Sequence, residues 1–105
     1  MAQFDVYENP NPRSREWAPF VIDLQHEMLS ALGTRIMAPL LASGRDTEAL
    51  MTRLNPVVTV AGQRCYLSAA ELASVPMSEL GKPVGNLESH RDEFLGAVDL
   101  LFTAV

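Results

Sequence analysis

Alternating apolar and polar positions open the chain and predict its first strands. In "QFDVYE", Phe4 and Val6 fall on one side and Asp5 and Tyr7 on the other, as in a half-buried strand. The prolines of "NPNPR" end this strand, because each proline fixes its own φ and pushes the preceding residue out of the helical region. A second strand, "PFVIDLQ", is predicted after this loop.

The next stretch mixes strand and turn signals. "HEMLSALGTR" fits either a helical turn or an irregular loop, and we expect a loop that ends at Gly33. "TRIMAPLLA" is predicted to be a strand, but Pro39 can donate no ladder hydrogen bond, which favours a sheet edge or a bulge there. "SGRDTEALMTRL" has the spacing of a short helix or turn, with Thr47 as a candidate cap.

The clearest hairpin follows, in which "PVVTV" and "RCYLS" are joined by a turn at residues 61–63. Val58 and Val60 are expected to share one face, and Cys65 and Leu67 another. The segment "AAELASVPMSELGKPVGNL", broken by prolines and glycines, is expected to be mostly loop with one short strand.

A helical pattern begins near Glu88, with Ser89 as a candidate cap and Asp92 three residues later. Its predicted core stripe, at about 100° per residue, contains Leu87, Phe94, Val98, Leu101 and Val105, flanked by Leu95 and Phe102. The opposite face carries Asp92, Gly96, Asp99 and Thr103. About five strands followed by one helix predict an α+β domain in which a strongly curled antiparallel sheet is covered by the helix.

Composition narrows the class of protein. A chain of 105 residues, with 48% apolar and 20% charged residues, fits one domain over residues 1–105. A net charge of −5 disfavours the basic surface that most nucleic-acid binders use, so we expect a protein or small-molecule partner. A single cysteine, no leader pattern and no run of about 18 apolar residues favour the cytoplasm over secretion or a membrane.

Residues that carry chemistry are few and scattered. His26 and His90 are interpreted as surface residues, and Cys65 as a small buried hydrophobe. No phosphate loop, nucleophile elbow or metal-ligand spacing occurs, so we expect no enzyme, no cofactor and no metal. Trp17 is expected either to wedge against the rim of the core or to anchor a partner.

The last nine residues, "AVDLLFTAV", are apolar to the end. Most domains let their terminal residues fray, so this ending is explained either by burial in the fold or by contact with a partner.

Six stretches together resemble the CcdB family, the toxin half of a plasmid-type toxin–antitoxin pair: "QFDVYE", "FVIDLQ", "RIMAPLLAS", "NPVVTVAG", "LASVPMSELG" and "FLGAVDLLF". The resemblance implies a small, strongly curved antiparallel sheet related to SH3-like barrels, a carboxy-terminal helix and a two-fold homodimer. It also implies a toxin that binds the DNA gyrase A subunit and traps the cleaved DNA complex, and a cognate CcdA-like antitoxin whose disordered acidic segment folds on the toxin.

The same resemblance implies which residues contact the target. The family ends in Phe-Trp-Gly-Ile, and the matching positions here are Phe102, Thr103, Ala104 and Val105, of which only the phenylalanine is retained. The family's tryptophan stacks on an arginine of gyrase, a contact worth about 1–2 kcal/mol when desolvated. Asp99 stands where the family has an asparagine. Met28 and Leu29 match a pair of apolar loop residues in the same contact surface.

Two alternatives remain from the sequence. Because Thr103 replaces the aromatic anchor, the chain could keep the fold while its target is altered or lost. Related toxins of this architecture cleave RNA, although fold alone does not fix function.

Overall fold

An antiparallel sheet, curled into a nearly closed barrel, forms the body of the molecule. The computed structural model describes residues 2–29, 31–43 and 53–103. Over these ranges the strands are β1 (Asp5–Glu8), β2 (Phe20–Asp23), β3 (Thr34–Ala42), β4 (Val57–Val60), β5 (Gln63–Leu67), β6 (Ala73–Pro76) and β7 (Gly85–Asn86). The helix is α1 (Arg91–Thr103), and 3-10 turns lie at Glu27–Leu29, Ala69–Glu71, Met77–Glu79 and Glu88–His90. The predicted α+β fold of the SH3-like type is confirmed.

Strand β3 is the centre of the barrel, because it pairs with β2 along one side and with two strands along the other. On that second side Met37 lies opposite Ala73 of β6, and Leu40 lies opposite Leu67 of β5. Pro39 falls between these two partners, while its pairing with β2 continues without a break. The predicted edge or bulge at Pro39 is therefore wrong. A proline is tolerated in this central strand because it sits where β6 gives way to β5.

Both faces of the sheet are covered. The larger cluster lies under α1 and includes Phe4, Val6, Ile22, Ala38, Leu40, Val58, Val60, Cys65, Leu67, Ala69, Phe94 and Ala97. On the other face Tyr7, Val21 and Met37 pack against Val75 and Leu80. Alternation in β1 is as predicted, but Val6 and Tyr7 are both buried, since each face has its own cover.

The hairpin of β4 and β5 is confirmed, but the expected division of its apolar residues between two faces is wrong. Val58 lies directly opposite Cys65, and Val58, Val60, Cys65 and Leu67 are all buried in the same cluster, because residues paired across antiparallel strands share a face. Ala61 and Gly62 both have positive φ, of 49° and 79°, as the tightest hairpin turns require. The segment before the helix supplies two short strands, β6 and β7, rather than the one predicted. In its described residues, the loop expected after β2 contains the 3-10 turn 27–29. The helix or turn with Thr47 lies outside the described residues.

The helix starts differently from the prediction. Ser89 lies inside the 3-10 turn 88–90, so it does not cap the helix, and the N-cap position of that turn is Leu87, which makes no side-chain cap. Asn86, just before it, accepts a 2.8 Å hydrogen bond at Oδ1 from the N–H of Glu88. Phe94 and Ala97 form the centre of the buried face, and Phe94 packs against Phe4 with ring centroids 5.9 Å apart. The predicted core stripe therefore missed Ala97, because a side chain as small as alanine is a weak signal of the buried face of a helix.

Tyr7 should make the protein sensitive to alkaline pH. Burial, reinforced by the charges of Asp5 and Asp23, raises the pKa of Tyr7 from 10.0 to about 12. Between these values the unfolded chain loses the proton while the folded chain keeps it, so stability falls as pH rises. We expect wild type to lose about 2–3 kcal/mol more than Tyr7→Phe between about pH 10 and 12, as measured by urea denaturation. Tyr66→Phe is the matched control, and its free energy of unfolding should fall with rising pH as much as that of wild type.

Candidate functional site

The end of α1 presents three exposed side chains of the predicted target surface. Asp99 and Thr103 point away from the core, as predicted, one helical turn apart. The Thr103 hydroxyl donates a 2.6 Å hydrogen bond to the backbone carbonyl of Asp99, so it is turned back onto the helix. Phe102 is 72% exposed, although the pattern predicted it at the border of the core stripe. Ala104 and Val105 lie outside the described residues.

A second group of exposed apolar side chains lies on the loop between β2 and β3. Met28 is 86% exposed and lies in the 3-10 turn 27–29, next to the half-exposed Leu29. The turn is closed by hydrogen bonds from the N–H of Leu29 to the carbonyl of His26 and from the N–H of Met28 to His26 Nδ1, of 3.0 and 3.1 Å. Two further apolar side chains are exposed, Leu32 later on the same loop and Ile36 near the start of β3.

A buried ion pair lies beneath this loop. Asp23 and Arg35 are fully buried, and Arg35 Nε lies 2.8 Å from Asp23 Oδ2. Arg35 Nη2 donates to the carbonyl of Gln25 at 2.8 Å, and Asp23 Oδ1 accepts from the N–H of Gln25 at 2.9 Å. Arg35 Nη1 has no hydrogen-bond partner among the described residues. Burial raises the pKa of Asp23, while the hydrogen bond from Arg35, the N–H of Gln25 and the charge of Arg35 act against that rise.

The predicted site residues lie on two separate elements of the chain. Helix α1 packs on the main core cluster through Phe94 and Ala97, and it also contacts the 3-10 turn 69–71. The Met28–Leu29 turn is instead connected to β3 through the Gln25 side chain, which bonds to Leu29 on one side and to Thr34 and Ile36 on the other. The helical pattern identified the exposed Asp99 and Thr103, and the family resemblance pointed to Met28, Leu29 and Phe102, but neither revealed the buried Asp23–Arg35 pair.

The remaining candidates for chemistry have structural explanations. His90 Nδ1 lies 2.9 Å from Glu93 Oε1 and its ring is 5.9 Å from that of Phe94. Cys65 is buried as predicted, and burial raises the pKa of its thiol. Within the described ranges no group of three His, Cys, Asp or Glu residues is placed to hold a metal ion.

Trp17 lies at a groove rather than inside the core. Its side chain is mostly exposed, and it lines a cavity of about 300 Å³ together with Val21, Met37, Leu41 and Val75. The backbone carbonyl of Trp17 accepts a hydrogen bond from the N–H of Ala42. That bond ties the Trp17 loop to the end of β3, which agrees with a position at the rim.

A comparison with known protein families places the whole barrel and the helix in one of them. The family model described as CcdB protein matches residues 3–104. In the described part of the chain, no helix is long and apolar enough to cross a membrane.

Removing Arg35 should be far more damaging than removing an exposed charge. Arg35→Leu leaves Asp23 buried without its partner, and we expect the free energy of unfolding to fall by about 3–5 kcal/mol in urea denaturation. Glu8→Gln breaks the exposed pair of Glu8 with Arg15, which are 3.2 Å apart, and should cost less than about 1 kcal/mol. Equal effects of the two substitutions would contradict a structural role for the buried pair.

Proposed function

Because the chain belongs to the CcdB family of toxin–antitoxin toxins, we propose that it inhibits DNA gyrase by binding the A subunit and trapping the cleaved DNA complex. The observation that carries this proposal is the exposed end of α1, at the positions where the family contacts its target. Asp99, Phe102 and Thr103 are all exposed there, so a partner can reach them without any unfolding of the barrel.

The inhibition requires no chemistry by the toxin itself. Phe102 is an exposed ring at the end of the helix, and it supplies an aromatic face for a cation of the target. Met28 and Leu29 add apolar area, and large exposed apolar residues of this kind mark interaction surfaces on soluble proteins. Ala104 and Val105 complete the proposed contact set. Binding alone then stabilises one state of the enzyme, as any ligand with differential affinity does.

We propose that the active form is a homodimer and that Leu32 and Ile36 lie in its interface. Both side chains are exposed in the single chain, and both adjoin the Met28–Leu29 turn in sequence. A two-fold interface uses the same patch on both subunits, so one apolar surface is sufficient. The dimer would also present two target surfaces from separate chains.

The partner that restrains the toxin in the cytoplasm is, in this proposal, a CcdA-like antitoxin. A disordered segment of such a partner orders as it binds and can cover a large surface. The exposed apolar side chains of the β2–β3 loop and of the end of α1 give it a surface to cover.

A specific feature favours a second candidate, a toxin of the same fold with an altered or lost target. Thr103 occupies the place of the family's tryptophan, and its hydroxyl is used within the helix. Growth arrest with gyrase untouched would support an altered target. Normal growth without the antitoxin would support a lost one.

Leu32 should be needed for dimerisation. Leu32→Lys places a charge on a surface that the homodimer buries, so we expect monomers in sedimentation velocity at concentrations where wild type is dimeric. Val84→Lys is the matched control, since Val84 is 47% exposed and Leu32 is 52% exposed, and it should leave the dimer intact. Unchanged dimers for both variants would place the interface elsewhere.

Gyrase poisoning should be improved by restoring the aromatic anchor. We expect the protein to stabilise cleaved DNA in a gyrase assay, and Thr103→Trp to lower the required concentration about tenfold, because the ring adds about 1–2 kcal/mol of contact. Phe102→Ala should raise that concentration. Thr59→Trp, at an exposed position on β4, is the control and should have no effect. Absence of cleaved complex for wild type and Thr103→Trp alike would refute gyrase as the target.

A further inference from the structure

The loop that carries Met28 and Leu29 is fastened from beneath by one buried amide. We propose that Gln25 is a positioning residue: it fixes the shape of the Met28–Leu29 turn and thereby sets the affinity of the target surface. This inference rests on the proposed function for its effect on affinity, but its effect on the shape of the turn is independent of it.

The contacts of the Gln25 side chain span the whole loop. Nε2 donates to the carbonyl of Leu29 at 3.2 Å and lies 3.4 Å from the carbonyl of Thr34. Oε1 accepts a 3.0 Å hydrogen bond from the N–H of Ile36. Gln25 is only 8% exposed, so its amide is largely shielded from water, while its partners lie nearer the surface. A single amide group therefore links the 3-10 turn to the first residues of β3.

Gln25 is itself held in place by the buried ion pair. Its backbone N–H donates to Asp23 Oδ1 at 2.9 Å, and its carbonyl accepts from Arg35 Nη2 at 2.8 Å. Because both charged partners are fully buried, neither can move without exposing an unpaired charge. Rigidity of the barrel is thus transmitted through Gln25 to a turn on the surface.

The Met28 side chain adds little order to the turn. Met28 is almost fully exposed, so its side chain contributes little packing. Three hydrogen bonds of the turn are local: the N–H of Met28 donates to His26 Nδ1 at 3.1 Å, and the N–H groups of Leu29 and Leu32 donate to the carbonyls of His26 and Leu29 at 3.0 Å each. A loop that must be ordered on binding loses affinity, whereas one already held in its bound shape does not. Gln25 provides that order in advance.

Gln25→Met tests this inference, since methionine keeps the length of the side chain and removes all three contacts. We expect the affinity for the isolated gyrase A subunit, measured by calorimetry, to fall about tenfold. Amide hydrogen exchange should rise at Leu29 and Leu32 and stay unchanged in β4 and β5. Asn55→Leu is the matched control: it removes a 2.9 Å bond from Asn55 Nδ2 to the Leu67 carbonyl and should leave both readouts unchanged.

A double-mutant cycle separates positioning from general destabilisation. If Gln25 acts through the turn, Gln25→Met should lose its effect on affinity in a background that already carries Met28→Ala and Leu29→Ala. An undiminished effect in that background would overturn the inference. If wild type does not bind the gyrase A subunit, the proposed function fails, but amide hydrogen exchange still tests the positioning role. A faster exchange in Gln25→Met that is confined to residues 26–36 supports that role. Unchanged exchange, or faster exchange throughout the barrel, refutes it.

Discussion

The ion pair between Asp23 and Arg35 is the constraint on which the arrangement of the barrel depends. Two charges taken out of water are tolerable only if they are paired and hydrogen-bonded, which fixes the relative position of β2 and β3. Arg35 lies opposite Val75 in the pairing of β3 with β6, so β6 runs directly beside the buried charge. Small shifts of β2 relative to β3 would leave a buried charge unpaired.

That constraint also explains how a short chain can cover both faces of its sheet. One face is closed by α1 through Phe94 and Ala97. The other has no helix, and it is closed by β6 and by Leu80, over Tyr7 and Met37. This second face buries few apolar side chains, so the Asp23–Arg35 ion pair and its hydrogen bonds order it. On the first face, hydrophobic packing does so.

Sequence reasoning found the elements whose signals are local and missed those that depend on distant partners. The β4–β5 hairpin and the helix follow from turn residues and periodicity, and both are confirmed. The edge or bulge predicted at Pro39 was wrong because the position of this proline in the sheet depends on where β6 and β5 meet. No local sequence pattern encodes that meeting point. Burial of Arg35 was not predicted, since arginine is rarely buried. Its one visible signal was a charge within an otherwise apolar strand, on the same face as Met37.

The residues that keep the helix on the barrel and the residues proposed to contact a target occupy different sides of α1. Phe94 and Ala97 are buried, whereas Asp99, Phe102 and Thr103 are not. Substitutions on the outer side therefore cost little folding free energy. They can change which partner is bound while the fold is kept. A protein with this architecture can therefore exchange one binding partner for another through changes at a few exposed positions of α1.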